Sequence, residues 1–173
     1  MRTRLLYFVL GIIWVLPSTT SAAVSPQAEK PKPVVTIVID DIGYQARDFR
    51  FLDLPTEITF SILPNAQFST ILAQRAHAQE RDVMLHMPME SLVHSSELGK
   101  APLMSNMDRQ QLAYTFKDAL ASVPFAIGVN NHMGSKFTQL SGPLQGMMDL
   151  LEDTGMFFLD SRTTPFSKAY EIA

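Results

Sequence analysis

The sequence predicts an α/β fold in which parallel β-strands alternate with helices, as in an opened-out (β/α) barrel. Short apolar runs begin near residues 34, 58, 83, 126 and 157, and each ends abruptly in polar residues or proline. The segments between these runs carry apolar residues at helical spacing. Strands that alternate with helices in this way indicate βαβ units and a parallel sheet.

The first strand is predicted over residues 34–39, where the sequence VVTIVI is continuously β-branched. Such runs are typical of strands that are covered on both faces. Four further apolar runs predict the remaining strands: 58–63, 83–86, 126–129 and 156–159. Residues 43–55 are expected to hold only a short turn or helix.

Three helices are predicted from apolar stripes over residues 68–76, 112–123 and 144–151. Asn106 or Asp108 is a candidate N-cap for the second helix, because both side chains can accept a backbone hydrogen bond. Gly155 is expected to end the third helix. The long connection 87–107 follows a predicted strand, on the side of the sheet where sites are built in barrels and open sheets.

The composition fits one soluble globular domain. The chain has 173 residues, no cysteine, 46% hydrophobic residues and 18% charged residues. These values argue against disorder and against a disulfide-stapled mini-protein. The formal net charge of −3 gives no electrostatic reason to bind nucleic acid or anionic lipid, so neither is expected as a partner.

Residues 1–23 have the layout of a cleavable secretory signal. Arg2 and Arg4 precede an apolar run over residues 5–16, which Pro17 ends, and Ser21 and Ala23 place small residues at a cleavage site. A membrane anchor is the alternative, but the run is shorter than the roughly 20 residues that span a bilayer. We therefore expect export to the periplasm or beyond, with no stable membrane span after cleavage.

The predicted domain follows a Pro-rich linker at residues 24–33 and occupies residues 34–173. A complete (β/α)₈ barrel takes about 250 residues, whereas about five βα units are visible here. We therefore expect an incomplete barrel, lacking two or three βα units of a longer protein. The last strand is then expected to leave an uncovered sheet edge.

Four of the five predicted strands end in side chains that bind metals or move protons: Asp40 with Asp41, His86, His132 and Asp160. In a parallel sheet these strand ends share one edge, so the side chains are expected to converge on one cleft. Two imidazoles and a carboxylate suit Zn²⁺ or a similar divalent ion, with open positions for water and substrate. Successive residues point in different directions, so one acid of the pair can bind metal while the other faces the reacting water.

The strand-end acids and histidines also have structural interpretations. Paired acids after a strand also occur as turn or cap residues, and a lone strand-end histidine is often a buried structural group. His77 is expected on the solvent side of the first helix, and His94 lies in the long connection. Neither of these two histidines is assigned a role.

Four segments together resemble the divergent polysaccharide deacetylase family, a branch of the carbohydrate esterases with a (β/α) barrel: IDDIG at 39–43, LHMPME at 85–90, GVNNHMGS at 128–135 and LDSRT at 159–163. The likeness runs from about residue 34 to the last residue. It implies an incomplete barrel of the glycoside hydrolase and deacetylase type. It also implies a metal-dependent hydrolase that removes acetyl groups from N-acetylated polysaccharide.

The resemblance also implies roles for particular residues. In related deacetylases the first acid of the pair is the general base and the second binds metal, which maps onto Asp40 and Asp41. Those enzymes take two histidines from one His-x-x-x-His motif, whereas Glu90 stands four positions after His86 here. The second imidazole ligand is then His132, and zinc is the expected ion.

Four further residues receive hypotheses with open alternatives. Arg162 is expected to pair with Asp40 or Asp160 and hold it ionised, or to bridge two strands structurally. Glu90 is either a partner of a metal-bound imidazole or a plain loop acid. Asn131, like Asn130, is expected to hold loop backbone rather than to contact substrate.

Two other functions compete with the deacetylase. One is a non-catalytic envelope protein that uses the barrel to bind glycan or a cell-wall protein. The other is a glycosidase with Asp40 and Asp160 as paired carboxylates, for which nothing in the sequence sets the required separation. N-acetylated glycan or peptidoglycan is the expected partner of the deacetylase.

Overall fold

A computed structural model describes residues 33–93 and 96–173, and its compact unit runs from Val35 to Ala173. The predicted signal at residues 1–23 and the linker up to residue 32 lie outside the described residues, as does His94. None of the helices in the described part has the length and apolarity needed to cross a bilayer.

In the described part of the chain, five strands form a single parallel sheet: β1 (Val38–Ile42), β2 (Thr59–Ile62), β3 (Val83–Met89), β4 (Ala126–Met133) and β5 (Phe157–Leu159). Their order in the sheet is their order in the chain. Each strand runs parallel to its neighbour. The predicted α/β fold is therefore confirmed, and the arrangement is compatible with an incomplete barrel.

Consecutive strands from β2 to β5 are connected by α1 (Ser69–Ala78), α2 (Arg109–Ser122) and α3 (Ser141–Thr154), and α4 (Ala169–Ile172) follows β5. A 3₁₀ helix, Ala46–Asp53, occupies the segment after β1. Asp108 caps α2, because its Oδ1 accepts a hydrogen bond of 2.8 Å from the backbone N–H of Gln111. Gly155 ends α3 with a left-handed φ of 68°, a conformation that glycine adopts without strain.

The hydrophobic core lies between the helices and one face of the sheet. Phe60 in β2 and Leu85 in β3 are fully buried there, together with Leu72 of α1, Phe116 of α2 and Leu144 of α3. Side chains alternate between the two faces along a strand. Buried polar residues therefore face the opposite side of the sheet, among them Ser61, His86 and Asn130.

The strands begin and end at different residues from those predicted. Strand β1 starts at Val38 rather than at Val34, because its partner strand begins at Thr59 and offers nothing for the earlier valines to pair with. Val34 is accordingly 90% exposed. Strands β3 and β4 continue past the apolar runs, since backbone pairing extends to Met89 and Met133 whatever the polarity of the side chains.

Strand β5 pairs with β4 on one side, and no other strand of the described residues pairs with its far edge. Phe157 and Leu159 of this strand are 49% and 42% exposed. An open groove of about 690 Å³ runs beside β5, along α3 and α4. The uncovered edge expected at the last strand is thus present in the described part of the chain.

Candidate metal centre

The paired acids lie within β1, where the strand is irregular. Asp41 has a left-handed φ of 62°, and the pairing of β1 with β2 shifts register between Ile39 and Ile42. Aspartate tolerates this conformation better than most residues. The irregularity interrupts the alternation of side chains, so both carboxylates lie beside His86. Oδ1 of Asp41 is 3.1 Å from Nε2, and Oδ1 of Asp40 is 3.9 Å from Nδ1.

Three potential ligand atoms meet at this edge of the sheet. Nδ1 of His132 is 2.8 Å from Oδ1 of Asp41 and 3.2 Å from Nε2 of His86. The ligand atoms of Asp41, His86 and His132 all lie within 4.8 Å of one another. His86 is buried, whereas the side chain of Asp41 is 65% exposed. The structure therefore brings together the three residues predicted to bind metal.

The outer nitrogen of each imidazole has its own partner. Nδ1 of His86 lies 2.8 Å from Oδ1 of Asn130, and Nε2 of His132 lies 2.8 Å from the backbone oxygen of Glu97. These oxygens only accept hydrogen bonds, so both outer nitrogens donate. In the neutral rings the inner nitrogens then carry lone pairs that face each other and the carboxylate of Asp41. Three acceptors about 3 Å apart repel one another unless protons or a cation lie between them.

The carboxylate of Asp41 is suited to being the negatively charged ligand of a cation. When Nε2 of His86 carries a proton, its hydrogen bond to this carboxylate is the largest influence and lowers the pKa of Asp41 below the ordinary value. The positive charge of either protonated imidazole acts in the same direction, against the opposing effect of burial. Asp41 therefore stays ionised at neutral pH, as a carboxylate metal ligand must be.

The donor set fits a divalent cation. Two imidazole nitrogens and one carboxylate oxygen are the three protein ligands of several catalytic zinc sites, in which a further position stays open to water or substrate. The site opens into a cleft of about 490 Å³. Hydroxyl side chains from the connections after β3, β4 and β5 line this cleft: Ser91, Ser135, Ser161 and Thr163.

Asp40 lies in the same cleft, outside the triad of ligand atoms. Its Oδ1 accepts a hydrogen bond of 2.9 Å from Nδ2 of Asn130, and its side chain is 38% exposed. None of the hydrogen bonds within residues 33–93 and 96–173 uses its Oδ2. One oxygen is thus held in place, while the other is available to accept a proton.

Glu90 holds loops together and contacts neither imidazole in the described part of the chain. Its Oε1 accepts a hydrogen bond of 2.7 Å from Nζ of Lys136, and its Oε2 accepts one of 2.8 Å from the backbone of Ser105. Burial alone raises the pKa of Glu90, but these two partners outweigh it and bring the pKa below the ordinary value. Its partners thus lie in the connections that follow β3 and β4.

Asn131 also holds backbone. Its Nδ2 donates to the backbone oxygen of Met133 at 2.7 Å, and its Oδ1 accepts from the backbone N–H of Ser161 at 2.8 Å. It thereby ties the chain after β5 to the end of β4. Both partners of its side chain are therefore backbone atoms.

Asp160 and Arg162 lie away from the triad. Oδ1 of Asp160 accepts a hydrogen bond of 2.9 Å from the backbone of Arg162, and both residues line the groove beside β5. Within the described residues, no ion pair joins Arg162 to Asp40 or Asp160. The catalytic roles predicted for these two residues stay predictions.

Two contributors to the site were missed from the sequence. Asn130 was expected to hold loop backbone, but its side chain contacts Asp40, Ser61 and His86. The hydroxyl of Ser61 donates to Oδ1 of Asn130. A signal was present, since Ser61 is a polar residue within the apolar run ITFSIL, and a fully buried serine needs a partner.

Fold and site together define a parallel α/β domain with a candidate divalent-metal centre at the carboxyl edge of its sheet. The chain belongs to the divergent polysaccharide deacetylase family, whose family model matches residues 37–173. The family resemblance inferred from four short motifs is thereby confirmed.

Proteins similar to the chain include two bacterial relatives and a solved structure. The uncharacterized protein YibQ of Escherichia coli K12 is 34% identical over 140 residues, which make up 80% of this chain and 44% of YibQ. An uncharacterized protein of Haemophilus influenzae is 37% identical over 140 residues, or 80% of this chain and 50% of that protein. The chain thus spans about half the length of these curated relatives.

A structural neighbour of the chain is the crystal structure of an uncharacterized protein from Agrobacterium tumefaciens C58. It aligns with a TM-score of 0.74 at 21% identity, over 80% of this chain and 57% of the neighbour. This likeness supports the fold.

Proposed function

We propose that the chain is an exported, metal-dependent hydrolase that removes acetyl groups from an N-acetylated polysaccharide. The proposal depends mainly on one observation, the three electron-pair donors of Asp41, His86 and His132 that face a common point. Membership of the divergent polysaccharide deacetylase family supports the substrate class. Peptidoglycan or a related envelope glycan is the proposed substrate.

The reaction adds water to the acetamide carbonyl and breaks its C–N bond, which yields acetate and an amino sugar. A divalent cation, with zinc as the proposed ion, supplies Lewis acidity that polarises a carbonyl and acidifies water. Asp41, His86 and His132 would hold this cation. Asp40 would take the proton of the attacking water on Oδ2, because Asn130 already engages its Oδ1.

The cleft around the triad suits a sugar. Its volume of about 490 Å³ lies within the range of small-molecule sites. The oxygens of Ser91, Ser135 and Thr163 can accept hydrogen bonds from sugar hydroxyls, since each hydroxyl oxygen has two lone pairs. The predicted secretory signal over residues 1–23 would deliver the protein to the periplasm, where such a glycan lies.

A second candidate is a domain that binds glycan or a cell-wall protein without catalysis. One observation favours it: Asp41 already contacts both imidazoles at hydrogen-bonding distances of 3.1 and 2.8 Å. Protons shared between these groups would close the site without any cation.

Acetate release from chitooligosaccharides and peptidoglycan fragments tests the proposal. The zinc-loaded full chain is compared with Asp40→Asn and His132→Ala variants, and with His77→Ala as a control whose ring is exposed and stacks on Phe125 at 4.0 Å. Asp40→Asn should keep zinc but lose at least about 100-fold in rate, because the proton acceptor is gone. His132→Ala should abolish both zinc binding and acetate release.

The outcomes separate the two candidates. Zinc binding with no acetate released from either substrate would contradict the hydrolase. Glycan pull-down by the metal-stripped protein would then favour the non-catalytic domain, because only that domain is expected to bind without metal.

A further inference from the structure

Asn130 is fully buried between Asp40, the proposed proton acceptor, and His86, a proposed metal ligand. It lies in β4 and is 1% exposed. Its Oδ1 is 2.8 Å from Nδ1 of His86, and its Nδ2 donates to Oδ1 of Asp40 at 2.9 Å. One amide therefore contacts both the proposed proton acceptor and a proposed metal ligand.

We propose that Asn130 is a positioning residue that selects the imidazole tautomer of His86 and so presents the Nε2 lone pair to the cation. This inference rests on the proposed metal-dependent function, because presenting the Nε2 lone pair matters only if the site binds a cation. The tautomer itself is a property of the metal-free protein and can be measured independently.

The orientation of the Asn130 amide follows from Asp40. An ionised carboxylate only accepts hydrogen bonds, so the group that faces Asp40 has to be the NH₂ of the amide. The amide oxygen then faces His86. If the amide were turned over, its oxygen would face the Asp40 carboxylate, and two acceptors would oppose each other 2.9 Å apart.

Two further partners hold this orientation. The hydroxyl of Ser61 donates to the amide oxygen, and Nδ2 donates to Oγ of Ser161 at 3.4 Å. The oxygen accepts from Ser61 and His86, and the nitrogen donates to Asp40 and Ser161. All the hydrogen-bonding capacity of the amide is used, and such a network fixes a single arrangement.

The tautomer of His86 follows from the amide oxygen. Because that oxygen only accepts, Nδ1 of His86 must carry the proton, and Nε2 of the neutral ring carries the lone pair. This nitrogen lies 3.1 Å from Oδ1 of Asp41 and 3.2 Å from Nδ1 of His132. The opposite tautomer would direct an N–H bond at the position of the cation.

The test combines the tautomer with zinc affinity. Two-bond ¹H–¹⁵N spectra of the metal-free full chain at about pH 8, where imidazoles are mostly neutral, report which nitrogen of His86 is protonated. Competition titration reports the zinc dissociation constant. The variants are Asn130→Leu, Asn130→Asp and, as a matched control, Asn131→Ala, which removes the neighbouring buried amide that only holds backbone.

We expect Asn130→Leu to lose the pure Nδ1–H tautomer and to weaken zinc binding about 10- to 100-fold, as substitution of a ligand's hydrogen-bonding partner does. Asn130→Asp keeps an acceptor for Nδ1, so the Nδ1–H tautomer should persist, although its second oxygen then faces Asp40 where Nδ2 donated. Asn131→Ala should lower the melting temperature but leave the His86 tautomer unchanged.

An Asn130→Leu variant that keeps both the Nδ1–H tautomer and wild-type zinc affinity would overturn the inference. If this variant does not fold, Asn130→Ala removes the same acceptor and is judged in the same way. If the wild-type protein shows the expected tautomer but binds no zinc, the metal-dependent function fails while the tautomer selection by Asn130 stands.

Discussion

Nδ1 of His132 lies 2.8 Å from Oδ1 of Asp41, although these residues belong to strands β4 and β1, which are not neighbours in the sheet. Adjacent strands are about 4.8 Å apart, so in a flat sheet β1 and β4 would be separated by three such spacings. The contact therefore requires a strongly curved sheet whose concave face carries the site. This curvature is what an incomplete barrel provides.

Zinc should stabilise the folded protein if the triad binds it. At a free concentration about 100 times the dissociation constant, the free energy of unfolding should rise by about 2.7 kcal/mol. Differential scanning calorimetry with and without zinc measures the corresponding increase in melting temperature. His132→Ala should abolish the increase, and His77→Ala should retain it. An equal increase in both variants would place zinc elsewhere.

Glu90 should make stability sensitive to acid. Its pKa in the fold lies below the ordinary 4.5, so its ionised form stabilises the fold above that pH. This contribution is lost as the pH falls through the lowered pKa. Glu90→Gln should cost about 1.5 kcal/mol at neutral pH, because hydrogen bonds to a charged group are lost. It should also lose less stability on acidification than wild type.

Urea denaturation between neutral and acidic pH measures this effect. Glu152→Gln is the control, since Glu152 is exposed on α3. Parallel stability curves for wild type and Glu90→Gln over this pH range would contradict the prediction.

Arg81 should contribute strongly to stability at the amino end of β3. It is 2% exposed, and its guanidinium donates to the backbone oxygens of Leu54, Pro55 and Ile58 at 2.7 to 2.8 Å. Arg81→Met leaves these oxygens without that donor and should cost about 3 kcal/mol.

The matched control for Arg81 is Arg75→Met, which removes an exposed guanidinium 4.9 Å from the ring centre of Phe49. That change should cost about 0.5 kcal/mol. Chemical denaturation of both variants measures the difference. Equal losses of unfolding free energy in the two variants would show that the buried carbonyl contacts of Arg81 contribute little to stability.

Gly128 should resist substitution because the ring of Phe157 covers it. The two residues pair across β4 and β5, and a Cβ atom at Gly128 would lie 2.5 Å from Cζ of that ring. Gly128→Ala should therefore cost about 1–3 kcal/mol through overpacking. In a Phe157→Ala background the same change should cost less than half as much, which a double-mutant cycle by thermal unfolding measures. Identical costs in both backgrounds would exclude the ring as the cause.

Much of the fold was predictable because its signals are local. Apolar runs and helical stripes locate the strands and helices, and parallel pairing then places Asp41, His86 and His132 at one edge. The register irregularity at Asp41 was not predictable, since a left-handed residue within a strand leaves no local pattern. Its effect is to bring both acids to one face.

The contacts of the other site residues were not predictable because their partners are distant in sequence. Glu90 looks like a candidate partner of a metal ligand from its spacing to His86, yet Lys136 determines its role. Asn130 looks like a loop residue, yet it pairs with Asp40, 90 positions away. Such contacts depend on the curvature and register of the whole sheet.

The register of β3 against β4 has a consequence for how the protein folds. His86 lies opposite Asn130, and Pro88 lies opposite His132. A slip of one residue in β3 would turn His86 to the helix-covered face and bury an unpaired imidazole among apolar side chains. If the triad binds a cation, all three ligands can therefore reach it in one strand alignment alone. Under the proposed function, a misaligned chain would therefore bind the cation more weakly than a correctly aligned one.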